Sequence, residues 1–413
     1  MTTKNNIPAG YKDSAVGIIP QEWEVKYLGD LLSRLANGLT YDVSITSGYP
    51  ISRIETISSG EINYLKVGYI DNVSGCESYK MQKGDILYSH INSLAHVGKV
   101  AYYDGKQELY HGMNLLLMRA NDKVDSNYLY AYLLTSQAKH IAQVIAKPAV
   151  NQASISTSDI RKIKLAVPPM EEQRKIAEIL GVWDEAIEKQ SRLIEKLELR
   201  KRALMQRLLT GHTRLPGFTA PWQKVKLGEI GRFISGCVFN ENEQGGKVGF
   251  PFFKVSDMNL CGNEVRMTKS NNYVTQEQIE RLNYIVVKDE AIIFAKVGAA
   301  IALERKRYAK DFIIDNNMLA YVPDTNIWYM KYWFDSIKLS KYIQVGALPS
   351  YNASDLAIIK LNLPSLPEQK AIAEVLTTAD DEIATHRKKL DALRQQKRGL
   401  MQQLLTGKTR VKI

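Results

Sequence analysis

The sequence predicts a mixed α/β (α+β) protein in which two globular domains are separated by a long antiparallel two-helix coiled coil, with an internal pseudo-two-fold repeat. Three observations predict this fold: a segment that occurs twice, an apolar heptad pattern inside both copies, and short β-rich runs before each copy. The chain has 413 residues, and at about 150 residues per domain this length accommodates two to three domains.

The repeat is visible by direct comparison. Residues 164–214 align with residues 360–410 without a gap, and 23 of the 51 aligned positions are identical. The segments before the copies also correspond, since Trp23 and Leu28 match Trp222 and Leu227, and residues 64–67 resemble residues 252–255. A repeat fixes architecture before local structure is argued. We therefore expect domains at 1–163 and 215–359, and helical regions at 164–214 and 360–413.

The helical regions carry apolar residues at alternating spacings of four and three, which is typical of a coiled-coil seam. A seam of this kind needs a partner, and each copy offers one to the other. The predicted seam residues are Ile176, Leu180, Ile187, Gln190, Ile194, Leu197, Leu204 and Leu208, with Ile372, Leu376, Ile383, His386, Leu390, Leu393, Leu400 and Leu404.

An antiparallel register follows if the polar seam positions Gln190 and His386 meet. That register predicts that Lys201 reaches Glu374 and that Lys397 reaches Glu178. Gly181 leaves a second possibility open, in which it breaks the first helix and Asp184 and Asp380 cap shorter helices.

The segments before the helices read as short strands with some helix. Alternating or β-rich runs predict strands at 62–70, 85–89, 99–103, 286–294 and 318–322, and residues 127–145 look helical.

Charge and cysteine content narrow the function classes. Fifty-five basic residues against 44 acidic residues give a net charge of +11, which favours polyanions such as nucleic acid. Cys76, Cys237 and Cys261 lie far apart, so neither a disulfide framework nor a zinc site is expected. No signal peptide or long apolar run is evident, and we expect a cytoplasmic protein without a membrane segment.

Catalytic motifs fail on inspection. Gly407-Lys408-Thr409 resembles the end of a phosphate-binding loop but lacks the first glycine, and Pro168-Pro169 lacks the flanking residues of an adenine-methyltransferase motif. The six histidines show no metal-ligand spacing. We therefore predict no catalytic residue, no metal and no cofactor in this chain.

The remaining candidates are basic, amide and aromatic residues of the types that contact base edges or phosphates. Lys66 and Lys254 stand at matching places in the two domains, which favours either a contact with the DNA backbone or a role in supporting the fold. The candidates are Arg53, Tyr64, Lys66, His90, Asn92, Ser93, Lys99, His111, Asn114, Lys247, Lys254, Lys296, Arg305, Lys306, Asn316, Asn317, Tyr351 and Asn352.

The chain resembles the specificity subunits of type I restriction-modification systems. The resemblance rests on the duplicated Pro-Pro-x-x-Glu-Gln-x-x-Ile-Ala-like junction at 168–180 and 364–376, and on the Leu-Met-Gln-x-Leu-Leu-Thr-Gly endings. Residues 84–87 with a later Gly98-Lys99-Val100, and the opening Ile19-Pro20-x-x-Trp23, are also similar to that family.

This resemblance implies two target-recognition domains that each read one half of a split DNA site, with the helices setting the gap. It also implies two methyltransferase subunits and motor-nuclease (restriction) subunits as partners on double-stranded DNA. S-adenosylmethionine, ATP and Mg²⁺ would then be bound by the partners alone.

Three other interpretations remain open at the level of sequence. The chain could be a stand-alone, regulatory DNA-binding homologue of the specificity subunit. It could also be an enzyme with unrecognised catalytic residues, or a structural coiled-coil adaptor.

Overall fold

A computed structural model of the protein describes residues 7–149, 152–343 and 349–413. The chain forms two compact units: unit 1 contains residues 1–191 and 389–413, and unit 2 contains residues 192–388. Each unit thus combines one predicted globular domain with part of both long helices.

Unit 1 contains thirteen described strands. Three shorter α-helices and the start of the first long helix complete it. The strands are β1 (Tyr11–Lys12), β2 (Ile19–Pro20), β3 (Glu24–Tyr27), β4 (Leu32–Asn37), β5 (Tyr49–Ile51), β6 (Gly68–Ile70), β7 (Ile86–Tyr88), β8 (Ile91–Asn92), β9 (Val100–Tyr102), β10 (Leu116–Ala120), β11 (Lys147–Ala149), β12 (Gln152–Ser154) and β13 (Lys164–Val167). The helices are α1 (Ser126–Leu133), α2 (Ser136–Ile145), α3 (Thr157–Arg161) and α4 (Met170–Leu209), of which α4 continues into unit 2.

Unit 2 repeats this plan with nine described strands. They are β14 (Gln223–Lys226), β15 (Gly231–Ser235), β16 (Phe250–Phe253), β17 (Tyr273–Val274), β18 (Ala291–Ala295), β19 (Lys306–Ala309), β20 (Ile313–Ile314), β21 (Met318–Pro323) and β22 (Lys360–Leu363). The helices are α5 (Gln276–Leu282), α6 (Ile327–Ser336), α7 (Ala353–Ala357) and α8 (Leu366–Leu404), of which α8 continues into unit 1.

The two units share one sheet topology. Unit 1 has a four-stranded antiparallel sheet in the order β4-β10-β7-β9, and unit 2 has its counterpart in the order β15-β21-β18-β19. In both units a second antiparallel pair, β3-β13 or β14-β22, leads directly to the long helix. The repeat seen in the sequence is therefore a repeat of the fold.

Each unit buries its own apolar core against the long helices. In unit 1 the core includes Trp23, Tyr128 and Ile176, and in unit 2 it includes Tyr321, Phe334 and Ile372. No helix in the described ranges is both long and apolar enough to cross a membrane.

The strand predictions were mostly right in place and too long. Strands β7, β9 and β21 lie within or along the predicted runs 85–89, 99–103 and 318–322. Of residues 62–70 only β6 is a strand, because Tyr64–Lys66 forms a 3-10 helix, and the predicted helix 127–145 is two helices separated by the N-cap Thr135.

Helix α4 is uninterrupted over 40 residues, which corresponds to about 60 Å at 1.5 Å per residue. The expected break at Gly181 does not occur, since α4 runs through this residue. Asp184 and Asp380 do not cap helices, because α4 and α8 continue through them, and both carboxylates form ion pairs with the partner helix.

The helices run antiparallel within each unit, and in both units the lysine pairs with a residue six positions further along the partner helix than predicted. Lys201 Nζ donates to Asp380 Oδ1 at 2.6 Å in unit 2, where Glu374 was expected. In unit 1 the ammonium of Lys397 pairs with Asp184, where Glu178 was expected. These two pairs occupy equivalent places in the repeat, so the same register holds in both units.

The predicted seam residues are buried or half-buried throughout both helices. Ile176, Leu180, Ile372 and Leu376 are at most 2% exposed and contribute to the cores of their units. Gln190 is also buried, at 6% exposure, while His386 is half-buried.

Candidate nucleic-acid interface

Each four-stranded sheet has two ends that differ in their neighbours. At one end, which we call the helix-side end, β10 and β21 lead into α1 and α6, and these helices contact the start of α4 and α8. The opposite end, which we call the far end, is where β4, β7, β15 and β18 finish and where β9, β10, β19 and β21 begin.

A buried glutamate organises the helix-side end of unit 1. Glu172 is fully buried and accepts a hydrogen bond from the indole Nε1 of Trp23 at 3.0 Å. The guanidinium of Arg410 donates to both of its carboxylate oxygens, at 2.7 and 3.0 Å. Hydrogen bonds to the carboxylates of Glu172 and Glu22 raise the pKa of Arg410 above its ordinary value.

Unit 2 contains the same cluster. The indole of Trp222 donates to buried Glu368 at 3.1 Å, and Arg214 donates to both oxygens of that carboxylate at 2.6 and 2.7 Å. Bidentate arginine–carboxylate pairs are strong and geometrically specific. The sequence analysis noted these residues within the repeat but missed their mutual contact, for which their identical spacing in both copies was the signal.

The glutamine that follows each glutamate ties the long helix to the sheet. Gln173 Oε1 accepts from the backbone N–H of Asp125 at 2.8 Å, and Gln369 Oε1 accepts from that of Asn326 at 3.2 Å. The side-chain amides of both glutamines donate to the carbonyl of the proline five residues earlier, at 2.9 Å. The repeated Glu-Gln dipeptide is therefore a structural joint.

The far ends of the two units are built on matching backbone contacts. Leu39 N–H donates to His111 O at 2.9 Å, and Cys237 N–H donates to Ile314 O at 3.0 Å. A Cβ added to Gly38 would lie 2.1 Å from Gly112 O, and one added to Gly236 would lie 1.8 Å from Asp315 O. Both positions require glycine because the two chain segments approach so closely.

Candidate residues of unit 1 gather at its far end and in the adjoining loops. His90 lies two residues after β7, Lys99 precedes β9, and Asn114 lies two residues before β10 with a left-handed φ of 70°. Arg53 adjoins them, because Ser52 Oγ accepts from Gly112 N–H at 3.0 Å.

The unit 1 candidates differ in how they are held. Lys99 Nζ donates to the Ser58 carbonyl at 2.8 Å, Asn92 Nδ2 donates to Ser89 Oγ at 3.2 Å, and Ser93 Oγ pairs with His96 Nδ1 at 2.8 Å. Tyr64 and Lys66 lie in the 3-10 helix, Tyr64 half-buried and Lys66 exposed.

Two unit 1 candidates are histidines in the interior. His111 is fully buried and its Nε2 donates to Leu115 O at 3.1 Å, so the imidazole carries its proton there. Burial lowers the pKa of His111 to about 4 and also lowers the pKa of His90. The Nδ1 atoms of both rings are buried without a hydrogen-bond partner among the described residues.

In unit 2 the far end holds Lys296, Asn316 and Asn317. Lys296 follows β18, and the two asparagines precede β21. Lys254 lies beside them, since the carbonyl of the preceding Phe253 accepts a hydrogen bond from Asp315 N–H at 3.0 Å. The Nζ of Lys254 donates to Gln244 Oε1 at 3.1 Å.

Two unit 2 candidates have structural roles. Lys306 is 3% exposed, with its ammonium paired to Glu304 and donating to Ile337 O at 3.0 Å. Tyr351 is 4% exposed, whereas Asn352 is exposed and stands at the N-cap position of α7 without a side-chain capping hydrogen bond. Neither Lys306 nor Tyr351 has the exposure expected of a direct DNA contact. Arg305 is half-buried and bonded to Asn259, whereas Lys247 is exposed.

The expected equivalence of Lys66 and Lys254 is wrong. Lys254 is the N-cap residue of a 3-10 helix that follows β16, and the residue in that place in unit 1 is Arg53, which follows β5. Strands β5 and β16 match because each has an antiparallel partner on one side and a parallel bridge or pairing on the other. The sequence alignment was wrong here because residues 64–67 and 252–255 both contain an aromatic residue followed by a Lys-Val pair.

Comparison with known proteins agrees with this architecture. The sequence profile of the type I restriction modification DNA specificity domain matches residues 20–199 and again residues 220–395. A protein of Methanocaldococcus jannaschii, provisionally named as the MjaX type I restriction enzyme specificity subunit, is 36% identical, with 97% of each chain covered. The MjaVIII specificity subunit of the same organism is 25% identical over 95% of this chain and 94% of its own length.

Solved structures share the fold. A chain from work on complex assembly and conformational transition of the type I R-M system superposes with a TM-score of 0.61 at 16% identity, covering 95% of this chain and 99% of its own. The S subunit of a type I restriction-modification system from M. genitalium gives 0.56 at 17% identity, with 98% and 99% covered.

Proposed function

Because the chain belongs to the type I restriction-modification DNA specificity family, we propose that it recognises a bipartite, asymmetric DNA sequence and assembles the methyltransferase and restriction subunits of such a system. In this proposal each unit reads one half-site through the far end of its sheet.

The observation that carries the proposal is the contrast between backbone and side chains at the two far ends. The same hydrogen bonds and the same glycine contacts hold both ends, yet side chains at equivalent positions differ, since His90 of unit 1 is replaced by Lys296 in unit 2. One scaffold with different side chains is what reading two different half-sites requires, because base edges are distinguished by their hydrogen-bond patterns.

The helix-side ends would serve assembly. Buried Trp–Glu–Arg clusters and Glu-Gln joints hold the long helix to the sheet in the same way in both units, so the surfaces that they support could receive two identical partners. We therefore propose two methyltransferase subunits per chain.

Catalysis would be supplied by the partners. We propose that the methyltransferase subunits bind S-adenosylmethionine and modify adenine, and that restriction subunits use ATP and Mg²⁺ to cut unmodified DNA. The chain itself would act in the cytoplasm as a non-catalytic recognition subunit.

Genome-wide mapping of methylated adenines tests this function. Cells with the gene should show methylation at one split motif that disappears when the gene is deleted and returns with a plasmid copy. Unchanged methylation, in cells shown to produce the partner subunits, would contradict the proposal. Retention of sequence-specific DNA binding by the purified chain in that case would identify a stand-alone DNA-binding homologue.

A further inference from the structure

The backbone contacts at the far ends assign equivalent positions more reliably than the local sequence does. The carbonyl of His90 accepts a hydrogen bond from Ile155 N–H at 2.9 Å, and the carbonyl of Lys296 accepts one from Tyr351 N–H at 3.0 Å. Both residues follow the central strand of their sheet, β7 or β18. His90 and Lys296 therefore occupy one structural position with two different side chains.

Lys296 projects from backbone that is fixed on both sides. Its N–H donates to Asn317 O at 2.8 Å while its carbonyl accepts from Tyr351. Because both backbone groups are held, the start of the side chain is pre-positioned, which lowers the entropy cost of binding through it.

The ammonium group of Lys296 is unusual among the basic groups near this end. Lys296 is half-buried as a residue, and its ammonium has no side-chain hydrogen bond or ion pair within the described ranges. By contrast Lys254 is bound to Gln244, Lys306 to Glu304 and Arg305 to Asn259. The ammonium of Lys296 can therefore donate to an incoming acceptor without first giving up a protein partner.

The neighbour of Lys296 is also oriented. Asn317 is exposed, and Asp315 accepts from its backbone N–H at 3.1 Å and from its side-chain Nδ2 at 3.3 Å. The carboxylate thus fixes the amide, and its oxygen and remaining N–H stay available. A lysine next to an oriented asparagine matches the donors and acceptors exposed in the major groove.

From this arrangement we infer that Lys296 is a specificity-determining residue that reads a guanine in the half-site bound by unit 2. The inference rests on the proposed function and deepens it. Lysine donates to the O6 and N7 acceptors of guanine, whereas the other three bases do not present two adjacent acceptors there. The equivalent His90 cannot make this contact in the same way, because the residue is only 7% exposed and burial lowers the pKa of its imidazole, which favours the neutral form.

The test uses the full-length protein and a panel of DNA duplexes. Each duplex carries the bipartite site that the wild-type protein selects from a random pool, with one base pair replaced. The Lys296→Ala variant should lose about tenfold discrimination at one G·C pair of one half-site and keep its preference at every other position. Lys288→Ala is the matched control, because Lys288 is exposed and precedes the other end of the same strand β18. The control should keep the wild-type preference everywhere.

Two results would overturn the inference while leaving the function intact. If Lys296→Ala weakened binding equally on all duplexes, with a smaller salt dependence, Lys296 would be a phosphate contact. If its preference matched the wild type throughout, Lys296 would have no role in reading. Failure of the proposed function is distinguishable, because the wild-type protein would then select no bipartite site at all. A circular-dichroism spectrum and melting temperature equal to the wild type would exclude misfolding of the variant.

Discussion

The helix-side and far ends of each sheet differ in how completely the internal repeat is preserved. At the helix-side ends a tryptophan, a buried glutamate and an arginine recur with the same hydrogen bonds in both units. At the far ends the backbone contacts recur but several side chains differ, as at His90 and Lys296. The difference indicates that one end has a common task in both units and the other has two separate tasks.

The largest expected effect concerns the helix-side end. Arg410→Ala should lower the free energy of unfolding by about 3–5 kcal/mol, and Arg214→Ala should lower it as well, because each leaves a buried glutamate without its cation. Urea unfolding monitored by tryptophan fluorescence measures this. Arg398→Ala, an exposed substitution on α8, is the control and should change stability by less than about 0.5 kcal/mol.

Unequal stability losses in Arg410→Ala and Arg214→Ala would contradict the claim that the helix-side ends of the two units are equivalent. Equal losses support a shared structural role, whereas a loss in one unit alone would mean that the repeated cluster is not functionally repeated.

The far end of unit 1 should respond to pH in a way that unit 2 does not. The folded-state pKa of His111 is about 4, below the ordinary value of 6.5, so the unfolded chain binds the proton more readily. Stability is therefore lost as pH falls from about 6.5 to 4, by up to roughly 3 kcal/mol for a shift of this size. The charged or titratable groups Arg34, Asp85 and His90 also act on this ring.

Hydrogen exchange of peptides from β10 and β21, corrected for the intrinsic effect of pH, checks this difference. Protection of β10 should fall more than that of β21 between pH 7 and pH 4.5. In the His111→Gln variant, whose amide can still donate to Leu115, the extra loss should disappear. An equal loss in the two strands would refute the assignment to His111.

A smaller effect is expected along the helices. Gly181→Ala should stabilise the protein by about 1 kcal/mol, because alanine has the higher helix propensity and the added Cβ meets no atom within 4 Å. Gly399→Ala in α8 meets no atom either and should give a similar gain. Thermal unfolding of both variants provides the measurement, and a loss of stability would argue that the helices bend at these glycines.

The smallest effect sharpens the helix register. A double-mutant cycle on Lys201 and Asp380 should give a coupling of about 0.5 kcal/mol, since the pair is partly exposed. The equivalent pair, Lys397 and Asp184, should give a similar value. A cycle on Lys201 and Glu374, the pair expected from the seam alone, should give none; a larger coupling there than at Asp380 would contradict the observed register.

Much of the architecture follows from the sequence, because repeats and heptads are local patterns. The two domains, the long helices and the buried seam were all predicted. The partners of Lys201 and Lys397 were not, since a heptad seam looks similar after one helix slides along the other. Distant ionic contacts such as Glu172 with Arg410 also hold the helices, and no periodicity reveals them.

The sequence predicted which types of residue would form the candidate site, but only some of their positions in the fold. Lys296 and Asn317 were both named from their chemistry, and the structure brings them into direct backbone contact. The equivalence of Arg53 and Lys254 was missed because the loops between the strands differ in length, so the hydrogen-bond pattern was needed to find it. Burial of His111 and Lys306 likewise depends on the tertiary fold.

The most direct test of the central claim is selection of bound DNA from a random pool by the purified full-length chain. The account predicts enrichment of two different short sequences at a constant separation, and loss of one G·C preference within a single half-site in the Lys296→Ala variant. Enrichment of one contiguous sequence, of two identical half-sites, or of no sequence would contradict it.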